Sequence, residues 1–179
     1  MYMSTPTRAE AIATLEKHLG DKPARLAHSL KVAGLAVTLG QLLIAKGILL
    51  NLPLIEAAAI LHDICKGQPD HDRAGGELLR SLGYPEIAAI VEVHTRLGGR
   101  TPTPDEPLSE AEVVYMADKS YRRVNRVSIE ERYGIWRDTW KDNPERLESL
   151  TNGENRAKAV RARIEKALGI PLSDVKSEE

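Results

Sequence analysis

Phenylalanine is absent from this chain of 179 residues, and aromatic side chains make up only 4% of it. A hydrophobic core must therefore be built from Leu, Ile, Val and Ala. That suits packed helices better than strands, where aromatic and β-branched residues dominate. Cys65 is the only cysteine, so no intrachain disulfide can form, which favours a reducing compartment. An excess of basic charge is missing too. The formal net charge is −1, and the bulk electrostatic footprint of a nucleic-acid binder is not there. The N-terminal stretch MYMSTPTRAEAIATL lacks the long apolar segment of a signal peptide. The apolar run from Ile48 to Ile55 is interrupted by Asn51 and Pro53 and is too short to span a bilayer. The expectation is a soluble cytoplasmic protein with no membrane partner.

Helix start and stop signals, by contrast, recur throughout. Thr5-Pro6 can open a helix that stops at Gly20. Pro23 opens a second, with Leu26, Leu30, Ala33, Val37 and Leu42 at helical spacing before Gly47. Pro53 opens a third through LIEAAAILHDICK to Gly67, and a fourth covers about 72–81. Pro85 opens a fifth through EIAAIVEVHTRL to Gly98-Gly99. Ser109 with Glu112, and Ser128 with Glu131, read as capping boxes. Asn143-Pro144 opens a last helical region with a break at Asn152-Gly153 and a stop at Gly169. No period-two strand pattern is present. The expected fold is all-α, a compact bundle of about seven or eight helices. Its expected organisation is an N-terminal helix over 1–22, a core over 23–135, a helical extension over 136–170 and a disordered tail over 171–179.

Five histidines are present, and two are followed by aspartate: His62-Asp63 and His71-Asp72. The second pair lies in polar sequence, QPDHDRAGG. The first ends the apolar run AAAIL. A His and an Asp at the end of a buried helix are costly unless they find partners. Those partners are a metal ion, an opposing side chain or a buried hydrogen-bond network. His28 and Asp118 occupy similar places, each where apolar pattern meets polar sequence. One such residue is usually a satisfied core group. Three separate helices carrying them are better explained by convergence on a single site.

The order and context of these residues resemble the HD-domain superfamily of metal-dependent phosphohydrolases. The signature of that superfamily is an isolated His, a His-Asp pair and a distant Asp. Here these are His28 in HSLKVA, His62-Asp63 in LHDICK and Asp118 in YMADK, with intervals of 34 and 55 residues. The resemblance covers about residues 23 to 135, with Cys65 where the family commonly has Gly. It implies a helical bundle of the HD-domain type. It extends to a bacterial branch that holds two metals through two further histidines and includes symmetrical dinucleoside tetraphosphate hydrolases. His71 and His94 stand in those positions, although the interval from Asp63 to His71 is short and KSYRR follows Asp118.

An imidazole and carboxylate ligand set without thiolate suits one or two ions of Fe, Mn, Co, Ni or Zn. With two ions, Asp63 is the natural bridge, and a metal-bound hydroxide is the expected nucleophile toward phosphorus. The expected metal ligands are therefore His28, His62, Asp63, His71, His94 and Asp118. Asp63 and Lys66 are the catalytic candidates, and Lys66, Arg96 and Arg122 the substrate-binding ones. Lys66 and Arg122 lie four residues after His62 and Asp118, a spacing that shares a helix face. Arg100, Lys119, Arg123 and Arg126 are further cations near the motif. The plain alternative for Arg122 is an ion pair with Asp118 or a solvated charge. Trp136 and Trp140, four apart, read as one packing face, with cover for a nucleobase as the alternative. The basic C-terminal helix reads as solvated, with a homodimer contact as its other use.

The function expected is hydrolysis of a phosphomonoester or phosphoanhydride, on a small phosphorylated molecule of the nucleotide class. The alternatives are a non-catalytic nucleotide-sensing HD domain and a di-iron oxygenase.

Overall fold

The computed structural model describes residues 4–177. It contains eight α-helices among the described residues: α1 (Arg8–Leu19), α2 (Pro23–Ala45), α3 (Leu52–Leu61), α4 (His71–Ser81), α5 (Pro85–Val91), α6 (Glu110–Lys119), α7 (Ile129–Thr139) and α8 (Pro144–Leu168). The all-α expectation holds, with one small exception. A two-residue hairpin, β1 (Tyr121–Arg122) against β2 (Asn125–Arg126), follows α6. Period-two analysis cannot register strands this short.

Local chemistry sets most boundaries. Thr7 with Glu10, Ser109 with Glu112 and Ser128 with Glu131 each form a reciprocal capping box. Asn51 and Asn143 cap α3 and α8 through their side-chain oxygens. Proline occupies the first turn of α2, α3, α5 and α8, where its missing N–H costs nothing.

The core is made of aliphatic side chains. Val32, Leu35, Leu39 and Leu43 of α2 are fully buried, as are Ile55, Ile60 and Leu61 of α3 and Val113, Val114 and Met116 of α6. By length and composition α2 could cross a membrane, with a mean hydropathy of 1.4 over its most apolar stretch. In this fold it is the central helix, packed against α3 and α6.

Three departures from the expected elements matter for function. First, α3 stops at Leu61 and α5 at Val91, so both metal-type motifs leave the helix just before their histidines. The cause is local: His62 Nδ1 donates to the carbonyl of Ala59, and His94 Nδ1 to that of Val91. A side-chain hydrogen bond to the last helical turn competes with continuation of the helix. Second, α8 runs unbroken through Asn152-Gly153. Gly153 suits a close approach, since a Cβ at this position would lie 3.0 Å from the Tyr133 hydroxyl, tighter than ordinary contact. Third, the expected disordered tail is packed. Leu172–Asp174 forms a 3-10 turn, and Leu172 and Val175 are buried. Arg126 donates to the Leu172 carbonyl, the Tyr121 hydroxyl meets Ser177 Oγ at 3.0 Å, and the last residues, 178–179, lie outside the described range.

Candidate metal centre

The six predicted ligands come from five places in the chain and meet at one point. His28 lies on α2, and His62 and Asp63 sit in the turn that ends α3. His71 is the first residue of α4, His94 follows α5, and Asp118 lies in the last turn of α6. Three imidazole rings have their orientation locked from behind. The Nδ1–H of His28 donates to the Arg123 carbonyl at 2.6 Å, His62 to Ala59 at 2.7 Å and His94 to Val91 at 2.6 Å. Because a carbonyl only accepts, Nδ1 carries a proton in each ring and Nε2 is the nitrogen turned toward the centre. This is the arrangement expected behind a metal-binding histidine.

The donor atoms form two sets sharing Asp63. On one side, Asp118 Oδ1 lies 3.3 Å from His28 Nε2 and 3.7 Å from His62 Nε2. Asp63 Oδ2 completes this set, 3.6 Å from His62 Nε2 and 4.0 Å from His28 Nε2. On the other side, Asp63 Oδ1 lies 3.3 Å from His71 Nε2 and 3.5 Å from His94 Nε2. His62 Nε2 is fully buried and has no hydrogen-bond partner. A buried polar atom left unpaired costs about 1–3 kcal/mol. An ion among these donors satisfies it. The residues present fit a divalent cation, and two groups could hold one: His28 with His62 and Asp118, and His62 with Asp63 and His94.

Electrostatics favour the ligand forms of His62, Asp63 and Asp118. Burial pushes the His62 pKa down to about 4, so its imidazole is neutral at pH 7. Burial by itself would raise the Asp63 pKa. The neighbouring His62, the hydrogen bonds from His71 and His94 and the Lys66 ammonium overcome it and hold the carboxyl well below its usual range. Asp118 is likewise ionised despite burial, chiefly through Lys119 and Arg132. Burial opposes charge on His28, but the hydrogen bond and attraction of Asp118 outweigh it and raise its pKa. Lys119 is itself buried, which lowers its pKa. Its Nζ stands 3.2 Å from Asp118 Oδ2 and over the Tyr115 ring.

The predicted cations scatter. Lys66 belongs to the centre, its Nζ 3.2 Å from Asp63 Oδ1 and 3.3 Å from His71 Nε2. Arg96 is exposed and reaches only the rim of a cleft of about 610 Å³ that opens on the His94 side. Arg122 is exposed and lines a second cleft of about 340 Å³ on the His28 side. It makes no ion pair with Asp118. α6 ends at Lys119, so helical spacing no longer relates positions 118 and 122. Arg100 pairs with Glu106, and Arg126 lies against Tyr121.

Arg132 escaped sequence reasoning, and Trp136, expected first as a packing residue, borders the site. Arg132 donates to the carbonyls of Asp118 and Tyr121, and its Nη2 lies 3.7 Å from Asp118 Oδ2. Trp136 carries the Arg132 guanidinium over its ring at 4.8 Å and borders both clefts. The two tryptophans therefore do not share a packing face; Trp140 is 41% exposed and stacks with Arg146. The four-residue spacing of Arg132 and Trp136 was a usable signal. Which way α7 faces was not.

A family model described as HD domain matches residues 25–123. No curated protein and no solved structure matches the chain. All six clustered His and Asp residues fall inside the matched segment, and Arg132, Trp136 and the whole of α8 fall outside it.

Proposed function

The chain belongs to the HD-domain family, and from that premise we propose that it hydrolyses a phosphate ester or anhydride of a small molecule, of the nucleotide class, with bound divalent metal. The observation that carries this reading is the unpartnered Nε2 of fully buried His62, set among His28, Asp63 and Asp118. His28, His62, Asp63 and Asp118 would hold the ion. When bound there, a divalent metal supplies Lewis acidity to phosphoryl oxygens and makes a coordinated water acidic.

The protein's own part is positioning and charge. Neutral His62 presents the lone pair of Nε2, and carbonyl-locked His28 turns its Nε2 toward the same centre. Lys119 and Arg132 hold Asp118 Oδ2, which leaves Oδ1 for the centre. The Lys66 side chain is 42% exposed and long enough to turn from Asp63 to a phosphoryl oxygen of the substrate. Asp63 sits between the two donor sets and, held ionised, would offer one oxygen to each.

A two-ion reading has a specific observation behind it: the oxygens of Asp63 divide between the two donor sets. Lys66 Nζ lies within 3.3 Å of both Asp63 Oδ1 and His71 Nε2. A second ion held by these residues would have to displace this ammonium and would bind more weakly than the first.

The test is reconstitution with Mn, Co, Ni, Fe or Zn, elemental analysis, and phosphate release from a panel of phosphorylated compounds. The expected result is metal-dependent release that chelation abolishes. A metal-loaded protein that binds nucleotides but releases no phosphate would instead be a sensing domain. Substrate oxidation with oxygen uptake would point to a di-iron oxygenase.

A further inference from the structure

The cleft on the His28 side carries more positive charge than one phosphate needs. Arg25 from α2, Lys66 from the turn after α3, Arg122 and Arg123 from the hairpin, and Arg132 from α7 all line it. Asp63 and Asp118 also line it, so it is continuous with the candidate metal centre. The charge of these two acids is already answered: Asp63 by Lys66, Asp118 by Lys119 and Arg132. Arg122 and Arg123 have no ion-pair partner among the described residues, although they are adjacent in sequence and line the same cleft. Arg25 is fixed in place, donating to the Lys66 carbonyl and packing on Gly67.

Solvated surface arginines are the ordinary explanation for a basic run. It does not account for convergence from separate elements on one concave face. Like charges held together repel, and the potential they create attracts a multiply charged anion. The guanidinium fork matches phosphate oxygens two at a time. The cleft on the His94 side is less one-sided in charge. Glu145 and Glu148 line it together with Arg96, Lys119 and Arg156. The two clefts share Lys66, Asp118, Arg132 and Trp136, so the candidate metal centre stands between them.

Building on the phosphohydrolase reading, we propose that the arginine cleft is a second phosphate subsite, and that the substrate is a phosphoanhydride whose phosphate chain runs from the metal centre past Arg25, Arg122 and Arg123. The uncharged part of the substrate lies on the Trp136 side. In the reaction, the oxygen of water forms a bond to phosphorus at the centre and the bridging P–O bond breaks. The bonding pair leaves on the departing phosphate, and the two protons of water are divided between the products. A phosphomonoester leaves the arginine cleft empty and forgoes its binding energy.

The experiment titrates the metal-reconstituted protein with orthophosphate and with imidodiphosphate, a diphosphate that does not hydrolyse. Wild type binds imidodiphosphate about 10 to 100 times more tightly than orthophosphate, the range of one or two charge-assisted contacts. In the double variant Arg122→Ala, Arg123→Ala this ratio falls to about one, and Arg122→Lys, Arg123→Lys restores part of it. In parallel, the kcat/KM of a nucleoside diphosphate relative to its monophosphate falls by the same factor. A wild-type ratio near one, or an undiminished ratio in the double variant, overturns the subsite while leaving a phosphohydrolase in place. Absence of binding by either anion, with no turnover of any ester or anhydride, removes the phosphohydrolase reading itself.

Discussion

Glu112 and Asp118 are two buried acids on the same helix, roughly 9 Å apart along its axis. Their surroundings are opposite. The carboxylate of Glu112 accepts from the Ser109 N–H and hydroxyl at 3.1 Å and from Arg163 Nε at 2.8 Å. Arg163 in turn donates to the carbonyls of Thr103, Glu106 and Pro107, which ties the proline-rich loop to α8. This cluster is closed: the chain itself satisfies its charge. Around Asp118 only Oδ2 is held by cations. Oδ1 points at His28 and His62, and His62 Nε2 has no partner. Both ends of α6 bury charge, yet only one leaves donors unspent. Burial of charge marks a scaffold where the valences are filled, and a site where they are left open.

The sharpest way to break this comparison is to remove the shared ligand. Asp63→Ala should lose metal and lower kcat/KM by at least about 10³-fold, equivalent to about 4 kcal/mol, while the circular dichroism spectrum stays helical. Elemental analysis and turnover check it, and a variant that kept its metal would refute the centre. Arg163→Ala should do the reverse. It leaves Glu112 buried without its cation and should cost about 3–5 kcal/mol of stability in denaturant unfolding. Metal bound per folded molecule should stay at the wild-type level. Equal metal loss in both variants would erase the distinction between closed and open clusters.

Smaller effects probe the boundary between them. Arg132→Ala frees one side of Asp118 without touching a donor atom, and should weaken metal affinity by about 10–100-fold. Competition with a fluorescent chelator would measure this, and an unchanged affinity would return Arg132 to a packing role. Lys66→Ala should lower kcat/KM by roughly 10–100-fold through a lost charge-assisted contact. Because it also clears the ammonium from between Asp63 and His71, metal content at saturation should hold or rise toward two ions per chain. A fall in metal content would show that Lys66 supports the centre instead of competing with it.

The order of His28, His62-Asp63 and Asp118 was legible because each stands where an apolar helical pattern meets polar sequence. Burial cost made the coincidence informative. Capping boxes and first-turn prolines were legible for a related reason: they act within four residues of themselves. Less visible was where helices stop beside the ligands. His62 and His94 terminate their own helices through Nδ1, and helical spacing alone carries the pattern through them. Arg163 lay in a basic helix that reads as solvated, and its partners are 51 to 60 residues away. Asn152-Gly153 looked like a break until Tyr133 supplied a reason for the missing Cβ.

The sequence by itself determined the helical class, most of the helix starts and the identity of the six residues that meet at the centre. The class and the helix starts rest on short-range periodicity and capping chemistry, His28, His62, Asp63 and Asp118 on the cost of burying His and Asp, and His71 and His94 chiefly on the family resemblance. Tertiary structure alone decided that Asp63 faces two donor sets, that Lys66 stands between Asp63 and His71, and that Arg132 and Trp136 from α7 border both clefts. It also decided that the segment after Pro171 packs beneath the hairpin that carries Arg122 and Arg123. Such facts depend on the direction in which one packed element faces another, and a periodic pattern specifies a face without naming its neighbour.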